Sequence, residues 1–171
     1  MIAILLNDAS FEQDIRELLM AFYPGETFTH KEEEAGEAEL IVRGVRDGNS
    51  FSLDVTPVKK EVVHFALIYP DFSNRFETKN EIKRTLYRLL SAQTGRELPW
   101  GTLTGIRPTK IALTKLYDGW TDEQIETYMR ETYFTSKEKI DLSIDVAERE
   151  RRLLSTIDYE NGYSLYVGIP F

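Results

Sequence analysis

The chain has 171 residues, enough for one sizeable core or two small ones. Its 42% hydrophobic, 29% charged and 12% aromatic content is that of an ordinary globular protein. A net charge of −8 argues against a nucleic-acid partner, because phosphate binding draws on clustered Lys and Arg. The chain has no cysteine and two histidines, so it lacks the ligands for a disulfide, an iron–sulfur cluster or a thiolate zinc site, and any metal chemistry is expected elsewhere.

Met1 to Leu6 is a short apolar run that ends at Asn7-Asp8, which predicts a buried strand feeding a helix and not a secretory signal. No apolar run approaches the roughly 18 residues of a membrane helix, so a cytoplasmic address is the expectation. Phe11, Ile15, Leu18, Leu19 and Phe22 fall at helical spacing, and Pro24-Gly25 stops them. A weak strand is predicted over Thr27 to Lys31, followed by the acidic run Glu32-Glu33-Glu34 with Glu37 and Glu39. That run lacks the spaced Asp/Asn and glycine of a calcium loop and reads as solvated chain. Glu39 to Arg46 is rich in β-branched residues, Asp47-Gly48-Asn49 is a hairpin turn, and Phe51, Leu53 and Val55 alternate with polar residues. Val62 to Tyr69 is the most continuous apolar stretch and predicts another strand. The layout is α+β, a mixed or largely antiparallel sheet with helices on one face, assigned to residues 1–72.

A helix and connector are predicted over 73–101. Thr78-x-x-Glu81 has capping-box spacing, Ile82, Leu86, Leu89 and Leu90 mark one buried face, Gly95 stops the helix, and 97–101 is irregular. Residues 102–160 read as a helical segment. Pro108 sits at a first helical position, Thr121-x-x-Gln124 and Thr135-x-x-Glu138 are two further capping boxes, and Ile140, Ile144 and Ala147 lead on to Leu154 and Ile157 before Asn161-Gly162. Over residues 161–171 an apolar strand is predicted, Tyr163 to Phe171. It reads either as the first strand of a further domain or as an added edge strand of the N-terminal sheet.

The segment Tyr166-Val-Gly-Ile-Pro-Phe171 is similar to the Tyr-x-His-Ile-Pro-Phe that immediately precedes Cys-x-x-x-Cys-x-x-Cys in the coproporphyrinogen III dehydrogenases, radical-SAM enzymes of heme synthesis. The run from Leu98 to Lys110, with Leu86 to Leu90 upstream, resembles the HemZ-type branch of that family, which carries an extra N-terminal region before its barrel. The match covers residues 80–171 by motif and the rest by layout. It implies that this chain stops just before the cysteines of an absent (β/α) barrel, its own C-terminal partner. There a [4Fe–4S] cluster on three thiolates and S-adenosylmethionine would support decarboxylation of propionates to vinyl groups. This stretch holds no cofactor and no catalytic residue of its own. Gly168 departs from the pattern, standing where the family has histidine.

The resemblance implies one cofactor contact, Tyr166 beside S-adenosylmethionine; the alternative is a strand aromatic. Arg107 and Lys110 flank Pro108 at a predicted helix N-terminus, where free amides favour an anion such as a propionate; Arg107 pairing with a nearby carboxylate is the competing reading. Trp100 is expected to pin its loop and not to stack on a tetrapyrrole substrate. His64 is read as a satisfied sheet residue and His30 as part of a solvated loop. The segment Gly101-Thr-Leu-Thr-Gly-Ile-Arg-Pro108 is the expected contact with the barrel, a partner or a substrate tail. Two other classes stay open, a heme-trafficking radical-SAM protein and a stand-alone partner- or RNA-binding module; the acidic balance speaks against RNA.

Overall fold

The computed structural model of the protein describes residues 1–58, 62–105 and 107–155. Five strands form one sheet in the order β2-β1-β3-β4-β5: β1 (Ile2–Leu6), β2 (Phe28–Thr29), β3 (Leu40–Asp47), β4 (Ser50–Pro57) and β5 (His64–Ile68). The first strand lies between two parallel neighbours, pairing Ile2 with Phe28 on one side and with Leu40 on the other. Burial on both faces is what such a position demands, and Ile2, Ala3 and Ile4 are all buried. The sheet is therefore mixed: β3–β4 and β4–β5 are antiparallel, and β1 makes both parallel pairings.

Helix α1 (Glu12–Phe22) buries Ile15, Leu18, Leu19 and Phe22 against this sheet. Beside it lies α2 (Arg75–Thr94), which brings Ile82, Leu86, Tyr87 and Leu90 into the same core as Phe51, Leu53 and Val55 of β4. Each such large apolar side chain contributes about 1.5–3 kcal/mol when fully buried. A second core is built by α3 (Pro108–Tyr117), α4 (Asp122–Tyr133) and α5 (Lys137–Leu154) around Ala112, Ile125, Met129, Ile140 and Ala147.

Three local expectations are corrected. Helix α2 begins three residues before Thr78, because the Asn74 side chain accepts from the Glu77 amide and takes the cap; Thr78 is buried within the helix, donating its hydroxyl to the Asp71 carbonyl. Ser136, not Thr135, caps α5. The acidic run is not loose chain: Glu32–Glu37 forms a 3-10 helix whose Ala35 packs with Ala38 on Ala3, while Glu32 pairs with Arg43 and Glu34 with Lys31.

The apolar run ahead of Tyr69 is an edge strand, with Phe65 and Leu67 exposed on its outer side, because α2 covers only the other face. The capping box at Thr121 forms as expected, both of its hydrogen bonds being present. The strand expected over 161–171 and the helix continuation expected at Ile157 fall outside the described residues.

Candidate functional site

The connector between the two cores is fixed by backbone geometry that only glycine supplies. Gly101 has φ +57, and a Cβ there would lie 1.9 Å from the Tyr133 carbonyl oxygen. That close approach lets the Thr102 amide donate to the same oxygen at 2.7 Å, just where α4 ends on Phe134 in the left-handed region. The Ser136 amide donates to the Pro99 carbonyl, and the Leu98 amide to the Tyr87 hydroxyl at 2.9 Å, so the connector is stitched to both cores. Rings continue the link, Phe22 against Tyr87 at 5.4 Å and Tyr87 against Phe134 at 5.5 Å.

Beneath this connector lies a cavity of about 380 Å³, walled by α1, α2 and residues 102–105. Its polar groups are interlocked. Lys83 Nζ donates to Thr104 Oγ1 at 2.7 Å, and that hydroxyl donates on to Glu17 Oε2 at 3.2 Å. Gln13 donates to the other Glu17 oxygen at 3.0 Å, and Lys79 pairs with Asp14 at 2.9 Å. Gly105, with φ +70, admits this arrangement because a Cβ there would sit 2.7 Å from Glu17 Oε2. Burial pushes the Lys83 ammonium below its ordinary pKa, and the carboxylates of Asp14 and Glu17 pull the other way. Asn80 is buried on the cavity wall, and its Nδ2 has no hydrogen-bond partner.

The residues singled out from sequence sit differently. Arg107 and Lys110 do meet at the start of α3, lining a smaller groove of about 290 Å³ with Ile111, Tyr128 and Tyr133. Arg107, however, is engaged: Nη2 donates to Glu150 Oε2 at 2.6 Å and Nε to Thr109 Oγ1. Trp100 packs against the second core, with Lys139 5.8 Å above its ring. His64 bonds Gln93 at 3.1 Å, and His30 lies within 3.4 Å of Glu12. Tyr166 lies outside the described residues.

The cavity residues of α2 were not singled out from sequence. The signal was the polar spacing Lys79, Asn80, Lys83 on a helix whose opposite face is apolar; Arg75 fell outside a helix read as starting at Thr78.

Fold and site together define an α+β lobe clamped to a three-helix unit by a glycine-pinned connector, with a polar cleft beneath the clamp. The chain is 33% identical over 120 residues to the oxygen-independent coproporphyrinogen-III oxidase-like protein HemZ of Bacillus subtilis (strain 168), a match covering 68% of this chain. It spans only 24% of the length of that relative. The chain carries an N-terminal HemZ-like region of the coproporphyrinogen oxidase-like family. No protein-family model matches it, and no solved structure matches it. Among the described residues no helix is long and apolar enough to cross a membrane.

Proposed function

We propose that this chain is the non-catalytic N-terminal accessory region of a radical-SAM coproporphyrinogen III dehydrogenase-like protein. The parent would convert propionate side chains to vinyl groups by oxidative decarboxylation. The observation that carries the reading is the 33% identity to the HemZ protein, joined to the tail motif from Tyr166 to Phe171. The chain's own donor set does not fit an iron–sulfur cluster: there is no cysteine, and among the described residues no three His, Asp or Glu side chains converge. We therefore assign the [4Fe–4S] cluster and S-adenosylmethionine to the part of the parent that this chain does not span, with Tyr166 as this chain's contact to the latter.

In this reading the partner is the parent's own barrel, and the ligand beyond it a tetrapyrrole. The connector supplies what an accessory region needs, a fixed angle between two packed units. Its anchors are main-chain bonds and interlocked rings, not exposed ion pairs, which contribute little.

The test is to read the coding frame past Phe171 and assay the full-length protein anaerobically with S-adenosylmethionine and coproporphyrinogen III. Three closely spaced cysteines, vinyl-group formation by the whole protein and none by residues 1–171 are expected. A full-length protein without those cysteines, or without decarboxylation, overturns the assignment; tight stoichiometric heme binding in its place would point to heme trafficking.

A further inference from the structure

The two edges of the sheet are built differently. One edge is β2, only two residues long. The other is β5, which among the described residues pairs with β4 alone and leaves its outer side open. An edge is usually kept from pairing with another chain by shortness, lysine, proline or a covering segment. Shortness protects β2. The β5 sequence His-Phe-Ala-Leu-Ile has no lysine, no proline and no acid.

The face that β5 turns away from α2 is apolar along its whole length. His64 meets Gln93 of α2 and Ile68 packs on the first core, which fixes the inner face. Side chains alternate along a strand, so Phe65 and Leu67 point outward, and Val63 and Tyr69 flank them in the same phase. These four are between 46% and 72% exposed. Their neighbours on β4 are polar, Asp54 beside Phe65 and Ser52 beside Leu67, so the apolar row lies at the sheet's open edge.

We infer that a second copy of this chain docks on this edge, β5 against β5 and antiparallel, about a two-fold axis at Ala66. A two-fold interface must be self-complementary. With the axis at Ala66, Phe65 stands opposite Leu67 of the second copy and Val63 opposite Tyr69, so every outward side chain meets an apolar one. An axis moved to Leu67 would set Val63 against Asp71. The four residues and the strand edges offer at most about 1,000 Å² for both copies together, the size of weak, reversible complexes. The inference rests on the sheet and not on the decarboxylase reading.

The test is sedimentation equilibrium of the 171-residue chain. It should be half dimeric at a concentration between roughly 10 μM and 1 mM. F65K/L67K sets lysine against lysine across the axis and should be monomeric throughout. F65K/L67E places opposite charges face to face only when the axis lies at Ala66, and at low salt it should dimerise at least tenfold more tightly than F65K/L67K. Both replaced side chains stand largely in solvent, so the variants should keep the wild-type melting temperature. If F65K/L67K does not fold, Tyr69→Lys, outside the strand, takes its place and should weaken the dimer about tenfold, two cross-strand pairs being lost. A wild type monomeric up to about 1 mM overturns the inference and leaves the face to a different partner. A dimer indifferent to these lysines, or no recovery in F65K/L67E, overturns it as well.

Discussion

Lys83 Nζ reaches Thr104 Oγ1 at 2.7 Å, joining the middle of α2 to a connector residue 21 positions on. Burial holds the ammonium below its ordinary pKa, so the unfolded chain keeps this proton at pH values where the folded chain has begun to release it. The unfolded state then binds more protons, and the Lys83 contribution to stability rises with pH from the folded pKa up to the ordinary lysine value of 10.5. Urea unfolding of the wild type and of Lys83→Met, run from pH 7 to 10, should show the wild type gaining on the variant as pH rises. A pH-independent difference would contradict this.

Tyr133 has the opposite sign. Burial, with the hydrogen-bonded Tyr128 hydroxyl at 3.3 Å, raises its phenol pKa well above 10.0. Below pH 10 both states are protonated and nothing changes; above it the unfolded chain ionises first and stability falls. Tyr133→Phe should lose less stability than the wild type between pH 10 and 11.5 in thermal melts, and its 295 nm titration should lack the most alkaline tyrosine.

Gly101→Ala should be among the most damaging single-methyl changes in the chain. The new Cβ meets the Tyr133 carbonyl at 1.9 Å on a backbone already at φ +57, so the connector must leave α4. A loss of about 3 kcal/mol is expected by chemical denaturation. Gly119→Ala, also at positive φ (+80) but with nothing near its Cβ, should cost only about 1 kcal/mol and serves as the control.

Tyr87→Phe keeps the ring that packs between Phe22 and Phe134 and removes the hydroxyl that accepts from the Leu98 amide. The expected cost is about 1–2 kcal/mol. Amide exchange should quicken at Leu98 in particular, since its N–H loses its acceptor.

By itself the sequence determined the α+β class, most element positions and the family likeness. Periodicity and turn chemistry are local, and Asp47-Gly48-Asn49, Gly95 and the Thr121 cap each carry their own instruction. Caps that compete within three residues were not legible: Asn74 and Thr78 both offer a cap, and the fold chose Asn74 because Thr78 was needed in the packed helix. Nor could an apolar run reveal its place in the sheet, since the strand holding Phe65 and Leu67 looks like core and lies at an edge. The cavity depended wholly on tertiary structure. Glu17, Lys83 and Thr104 are 66 and 21 residues apart, and only the approach of α1, α2 and a glycine-pinned connector makes one site of them.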